Sequence, residues 1–302
     1  MINYKLLRCV KCNTRSLKIS DSKAELVCSV CNQIYPVQND VPILFQPDEE
    51  PEIFQSEIHK KQGTEFKYKE HYQQDALDFD YFQEREKGTE HSERRVREFI
   101  FSQAPKNPNR ILDVGCGNAW VAELFCSSAN EVISMDISHT NVGKALEKYP
   151  YKNHSGVVAD VLNLPFRENS FDCIIASEII EHVVHPNHFV ENLIRILKPG
   201  GVLLVTTPYK EKLQYNLCIH CNKLTPRHAH IHSFDENKLA GLYAEKDTSF
   251  EYKTFANKAL IHLRTHVVLH FLPFGFWRFI DKVANAIYKA PATIFVKWER
   301  VK

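Results

Sequence analysis

Apolar runs recur at short intervals between residues 110 and 208, and most end in an acidic or small residue. "RILDV" leads into Gly115, "EVISM" into Asp136 and "HSGVVA" into Asp160, while "FDCIIAS" ends at Ser177. "RILKPGGVLLVTTP" is a helix end, a Lys-Pro-Gly-Gly turn and a fifth run. Short apolar runs of this kind read as buried strands, and helical stretches between them place the chain in the α/β class with a doubly wound parallel sheet. "TIFVKWERV" is expected as the last strand, entering after a helical insertion over 259–290.

Outside this region the pattern changes. "SLKISDSKAELVC" alternates apolar and polar residues around a turn at Asp21-Ser22 and predicts a hairpin. Residues 46–90 are charged, aromatic and lack a periodic apolar pattern. They read as a linker that becomes a lid, with Tyr72, Tyr81 and Phe82 as pocket walls, or as a solvated connector. The apolar stretch 259–280 is interrupted by His262, Arg264, His266, His270 and Arg278 and holds Pro273 and Gly275. That excludes a transmembrane reading and leaves an aromatic cover over a pocket or a segment resting on a membrane surface. The expected divisions are 1–46, a linker and lid over 47–94, and a main domain over 95–302 whose segment 209–292 covers the substrate.

With 302 residues, 44% hydrophobic and 25% charged, the chain belongs with folded proteins rather than disordered ones. A net charge of +1 gives no global field for non-specific nucleic-acid binding. "MINYKLLRCVKC" shows no secretory signal, so a cytoplasmic setting with reduced thiols is expected for the nine cysteines. Cys116, Cys126 and Cys173 have apolar neighbours and read as small core residues.

Cys9-x2-Cys12 and Cys28-x2-Cys31 stand fifteen residues apart, a spacing that suits four thiolates around Zn2+. No thioredoxin-like pattern surrounds either pair. The continuation C-x2-C-x3-Y-P-V-x2-D-V-P resembles the zinc ribbon of the small activator proteins that partner tRNA methyltransferases, over about residues 5–45. Such a zinc site either staples a module too small for its own core or helps to grip substrate.

The turn "DVGCGNA" holds Asp113, Gly115 and Gly117, glycines that let a ligand approach the backbone. Asp136 follows at the end of the next strand, where an acid binds ribose hydroxyls. Together with "LKPGG" and the acid after the third strand, this set resembles the class I S-adenosylmethionine-dependent methyltransferases over about residues 95–255. The resemblance implies a seven-stranded Rossmann-like sheet. It places the methionine part of S-adenosylmethionine at Asp113, Gly115 and Gly117, the ribose at Asp136, and the adenine amino group at Asp160. Ile137 and Val161 would flank the adenine ring, and Ser177 would open onto the transferring methyl. Ala119 stands where dinucleotide binders carry a third glycine; a nicotinamide dehydrogenase is the competing reading, and "LKPGG" favours methyl transfer.

A hydroxyl acceptor needs a base or a metal ion. Glu178, Glu181 and His182 in "SEIIEHVVHP" fall at i, i+3 and i+4, one face of the helix expected after the fourth strand. They resemble the ExxEH set of ubiquinone-pathway O-methyltransferases and small-RNA 2'-O-methyltransferases, which implies a divalent ion such as Mg2+. A metal-free pocket with His182 as base, and plain helix capping, remain open at this point. Later, "LCIHCNKLTPRHAHIHSFD" brings Cys218, Cys221, His228, His230 and His232. The three alternating histidines share one face of an extended chain. His228 and His232 could complete a zinc site with Cys218 and Cys221, while the resemblance to the RNA enzymes favours His230 beside Glu181. Exposed histidines and free thiols in a loop are the other reading. Ser233 and Glu236 have the spacing of a capping box.

The expected activity is methylation of an oxygen on a small molecule, glycan or lipid-linked acceptor. RNA methylation with the ribbon gripping RNA is the alternative, and a non-catalytic partner protein the third reading.

Overall fold

The computed structural model describes residues 2–45, 66–129, 131–220, 222–245 and 247–301. The hairpin expected near the N-terminus forms from β1 (Leu17–Ile19) and β2 (Glu25–Cys28), paired antiparallel with Lys18 opposite Val27. β3 (Ile34–Gln38) and β4 (Val41–Leu44) complete the ribbon. Residues 46–65, the first part of the expected linker and lid, lie outside the described residues. The remainder of that segment holds α1 at Tyr68–Asp78, a connection over 79–86 and the start of α2 at Lys87–Gln103.

The α/β part alternates strands and helices, apart from β7 and β8, which follow one another directly. β5 (Arg110–Val114), α3 (Trp120–Phe125), β6 (Glu131–Asp136), α4 (His139–Lys148) and β7 (His154–Ala159) form its first half. β8 (Phe171–Ser177), α5 (Pro186–Ile196) and β9 (Leu197–Pro208) form the second. β7 is buried at all six positions, as expected of a parallel strand covered on both faces. After a small hairpin of β10 (Tyr215–Leu217) and β11 (Leu224–Pro226) come α6 (Glu236–Ala240) and β12 (Thr248–Asn257). The insertion is helical as expected, with α7 (Lys258–His262), α8 (His266–Leu269) and α9 (Phe274–Ile287), and β13 (Pro291–Arg300) is the last strand. Among the described residues no helix is long and apolar enough to cross a membrane.

The main sheet has eleven strands in the order β1-β2-β3-β4-β7-β6-β5-β8-β9-β13-β12, not the seven that the resemblance implied. The difference has a simple cause. β4 pairs parallel with β7, Ile43 beside Val158 and Leu44 beside Ala159, so the four ribbon strands continue the sheet instead of standing apart. The ribbon is also tied to the loop after β7. Arg8 N–H donates to the Pro165 carbonyl (2.8 Å), Arg167 N–H to that of Leu6 (2.9 Å), and Asn163 to that of Val10 (3.3 Å). Leu7, Cys9, Leu26 and Tyr35 belong to the same buried cluster as Leu164, Phe166 and Phe171.

β5 lies between β6 and β8, so the crossovers run in opposite directions from it. Ligands of open α/β sheets bind at the carboxyl ends of the strands beside such a reversal. Cys116 and Cys173 are buried there as core residues and Cys126 is half-buried, as the sequence suggests. The capping expectation is corrected: Asp235, not Ser233, caps α6, accepting from the N–H groups of Asn237 and Lys238, and Glu236 accepts from Tyr209 Oη (2.7 Å).

Candidate cofactor cleft and catalytic cluster

β5 delivers Asp113 into the sheet's carboxyl edge, and the turn behind it runs through Gly115 (φ 64°) and Gly117 (φ 46°). Only glycine fits at 115, where a Cβ would stand 1.8 Å from Ile179 Cδ1. Asp136, at the end of β6, accepts from Gly117 N–H (3.3 Å) and Ser138 N–H (2.9 Å), so the second-strand acid holds the glycine turn. Asp113 Oδ2 is buried and has no hydrogen-bond partner among the described residues. Burial, reinforced by Asp136, pushes the Asp113 carboxyl well above the usual range; burial also pushes Asp136 up, against its N–H donors. An orphaned acidic oxygen beside a glycine turn suits the amino group and ribose of a nucleoside cofactor.

α1 packs against the end of β7. Asp160 accepts from Tyr68 Oη (2.6 Å) and Leu162 N–H (2.9 Å) and pairs with Lys69 (3.2 Å). The acid expected to meet adenine is therefore engaged by α1. Tyr81 lies against Gly117, its Cδ1 3.4 Å from where a Cβ would be. Ile137 packs with Tyr68, Tyr72 and Ile231 in one small apolar cluster, whereas Val161 packs on the main core. Phe82 packs on the opposite core and is not a wall of this cluster. Ser177 and Thr206 share a hydroxyl hydrogen bond of 3.0 Å at the ends of β8 and β9.

The helix expected to display Glu178, Glu181 and His182 does not form. Glu178 adopts φ 54°, and Ile180–His182 is one 3-10 turn. Glu178 is exposed and stands outside the ligand cluster of Glu181, His182 and His230, though its charge still acts on Glu181. Desolvation pushes its carboxyl up to about 7, against the hydrogen bond to Thr206. Glu181 is buried, and its Oε2 accepts from Thr207 Oγ1 (2.9 Å) while its Oε1 has no partner. Burial and Glu178 raise the Glu181 carboxyl well above its usual range.

The histidine run crosses directly over this point, because the N–H groups of Ile231 and His232 both donate to the Glu181 carbonyl (3.0 and 3.2 Å). One ligand atom each from Glu181, His182 and His230 falls within 4.8 Å of the others. His182 Nδ1 faces the Ala229 carbonyl at 3.3 Å, a contact only an N–H can satisfy, which leaves a lone pair at Nε2. Burial and His230 hold the His182 imidazole down to about 3. His230 Nδ1 lies 2.6 Å from Glu211 Oε2. Three partners escaped the sequence reading: Thr207, Glu211 and Tyr68. Nothing in the local pattern marks them, since each meets its target across the fold.

The shared face of His228, His230 and His232 is also corrected. Arg227–Ala229 forms a 3-10 turn with His228 at φ 57° and Ala229 at φ 55°, which breaks the alternation. His228 is exposed, and His232 lies against Phe234. Neither joins Cys218 in a ligand cluster among the described residues, and Cys221 lies outside them. Cys218 does adopt the turn of the N-terminal cysteines: Asn222 N–H donates to its carbonyl, as Asn13 does to Cys9 and Asn32 to Cys28, with φ near 55° at all three asparagines.

Cys9, Cys12, Cys28 and Cys31 converge, with Cys9 Sγ and Cys12 Sγ each 3.6 Å from Cys31 Sγ and Cys28 Sγ respectively. Tetrahedral Zn–S bonds of about 2.3 Å imply sulfur separations of roughly 3.8 Å. Burial raises the Cys28 thiol, but Thr14 and the N–H groups of Cys31 and Val30 outweigh it and bring it down to about 6.

The family profile described as "Methyltransferase domain" matches residues 112–205, from the middle of β5 to β9. These residues are similar to a methyltransferase domain. A Mycolicibacterium smegmatis protein named as a probable S-adenosylmethionine-dependent methyltransferase is 34% identical over 99 residues, 32% of this chain and 37% of that protein. A Pseudomonas paraeruginosa ubiquinone/menaquinone biosynthesis C-methyltransferase is 36% identical over 107 residues, 33% and 42% of the two chains. The chain thus spans less than half the length of these two relatives. Among solved structures, an S-adenosylmethionine-dependent methyltransferase of Mesorhizobium loti aligns over 68% of this chain and 98% of its own at 17% identity, TM-score 0.50. A chain from the complex of the Haloferax volcanii Trm112 methyltransferase activator with a methyltransferase aligns over 69% and 89% at 17% identity, TM-score 0.50. These two likenesses concern the fold. The residues matched by the profile include Asp113, the glycine turn, Asp136, Asp160 and the Glu181–His182 pair.

Proposed function

We propose that the chain transfers a methyl group from S-adenosylmethionine to an oxygen of a small molecule, glycan or lipid-linked acceptor, at a centre made by Glu181, His182 and His230. The buried, unpartnered Glu181 Oε1 beside two imidazoles carries this reading. The cofactor would lie along Asp113, Gly115, Gly117 and Asp136, with its adenine toward Ile137, Val161 and Asp160 and its methyl toward Ser177. Tyr68 and Lys69 would then exchange their hold on Asp160 for contacts with the adenine.

A sulfonium methyl is already electrophilic, so the chain must align the acceptor and raise its nucleophilicity. His182 is a poor general base with its imidazole held near 3, but a neutral imidazole is a good metal ligand. Glu181, raised by burial and by Glu178, would ionise beside a cation. Two imidazoles and one carboxylate suit a transition-series divalent ion better than Mg2+, which prefers oxygen ligands. Such an ion, when bound, would stabilise the acceptor as an alkoxide or phenolate. A phenolate can also direct methylation to ring carbon, and the C-methyltransferase relative supports that second outcome. The four N-terminal cysteines would hold zinc as a structural staple.

Glu181→Gln should lower kcat about a hundredfold and leave S-adenosylmethionine affinity intact, and His182→Ala should do the same. Assays with labelled methyl donor, beside calorimetric cofactor titrations, separate the two readouts. Unchanged turnover in Glu181→Gln, without stimulation of the wild type by Mn2+ or Zn2+, would remove this centre from the chemistry.

Cofactor binding should depend on pH. The free Asp113 and Asp136 carboxyls are raised, so they take up protons at higher pH than ordinary carboxyls do. A positively charged cofactor that accepts their negative form expels those protons. Affinity therefore rises as pH increases through the raised values and is lost on acidification. Titrations in buffers of different ionisation enthalpy should register proton release; none would mean that neither acid meets the cofactor.

A further inference from the structure

Between Lys258 and Ala290 the chain builds helices with almost no interior. α7 and α8 contain no buried residue, and α9 buries only Trp277 and Asp281. Ten of the twenty-one exposed large apolar side chains among the described residues fall in this insertion. On α9, Phe276, Phe279, Val283 and Ile287 follow one another at three- and four-residue steps and form an outward stripe opposite Trp277. Leu263 and Phe271, 75% and 78% exposed, extend the apolar surface to the loops beside α8. Soluble monomers rarely leave so much contiguous apolar surface uncovered.

Charge says what covers it. The insertion holds five Lys or Arg residues and one acid, Asp281. That acid is buried, accepting from Arg278 (2.5 Å) and from Asn257 N–H (2.8 Å), so it presents no negative charge outward. Arg264, Lys282 and Lys289 are exposed, and Lys282 flanks the α9 stripe. An apolar aromatic face bordered by cations and lacking acids fits an anionic lipid interface. The insertion also leaves the sheet on the right side. Asn257 pairs with Pro291, and Thr293 with Pro208, at the carboxyl end of β9, the edge that carries the cofactor cleft.

We propose that the 258–290 insertion seats the protein on an anionic membrane surface, lying in the interface without crossing it. This goes beyond the methyl-transfer reading, but if both hold, the acceptor is drawn from the bilayer and belongs to the lipid-linked class.

The test is co-sedimentation of the full chain with vesicles of phosphatidylglycerol and phosphatidylcholine, without methyl donor or acceptor. The protein should pellet with the mixed vesicles at low salt, weakly with phosphatidylcholine alone, and less as salt rises. Phe276→Glu/Phe279→Glu should weaken binding at least about tenfold, and Lys282→Glu about fivefold. Because these side chains face outward, the variants should retain S-adenosylmethionine binding; Leu263→Glu/Phe271→Glu provides an independent pair on another loop. Wild type that stays in the supernatant at every lipid concentration overturns the proposal. So does a stable dimer that Phe276→Glu/Phe279→Glu dissociates, since a second copy would then cover the face. The vesicle readout needs no catalysis, so its failure is distinct from failure of methyl transfer.

Discussion

Asp136→Ala is expected to weaken S-adenosylmethionine binding about a thousandfold, with little change in the rest of the sheet. Two hydroxyl hydrogen bonds to a buried carboxylate contribute roughly 1.5–3 kcal/mol each, and both disappear together. A second effect adds to this. Asp136 also accepts from Gly117 N–H, so its loss frees the glycine turn that would approach the methionine part. Neighbouring core residues Val132, Ile133 and Met135 remain buried in β6, which limits the damage to the edge. Isothermal titration with S-adenosylmethionine measures the loss, and thermal melting checks that the fold survives. A variant that melts like wild type and binds within about fivefold of it would show that the cofactor's ribose lies elsewhere.

Removing zinc is expected to cost more in stability than any single side chain. Structural zinc sites contribute apparent free energies of about 10 kcal/mol or more near neutral pH. Cys9 and Cys28 are buried in the cluster that runs on into Leu164 and Phe166, so the ribbon cannot loosen alone. Its collapse would expose the β7 edge now covered by β4 and release the backbone bonds to residues 163–167. Those residues follow Asp160, which ties the ribbon to the side of the cleft proposed for adenine. Cys28→Ser, or chelation, should lower the melting temperature by roughly ten degrees or more and weaken cofactor binding as well. Metal analysis beside the melts decides the matter. A protein that contains no zinc as purified, or melts unchanged after zinc is stripped, would show the thiols to be an ordinary buried cluster.

Much of the cleft was legible because its constraints are local. Glycine at 115 and 117 is required by positive φ and by Ile179, and an acid at the end of β6 needs only the strand to place it. The Cys-x2-Cys pairs are equally local, since each pair is one turn of backbone. The cluster of Glu181, His182 and His230 was legible only in part. His230 meets Glu181 as expected, but through the Ile231 and His232 backbone bonds and not through an alternating strand. The helical spacing of Glu178, Glu181 and His182 was misleading, because a left-handed residue at 178 replaces the first turn of helix.

By itself the sequence determined the alternating strands and helices, the turn residues, the four-cysteine set and the helical nature of the 259–290 insertion, all set by nearest-neighbour patterning. Only the tertiary structure decided that the ribbon extends the sheet, that Tyr68 and Lys69 occupy Asp160, and that Glu178 stays outside the Glu181–His182–His230 cluster. It also decided that the insertion turns its apolar residues outward. Periodicity shows that a helix has an apolar face; it cannot show whether another element is left to cover it.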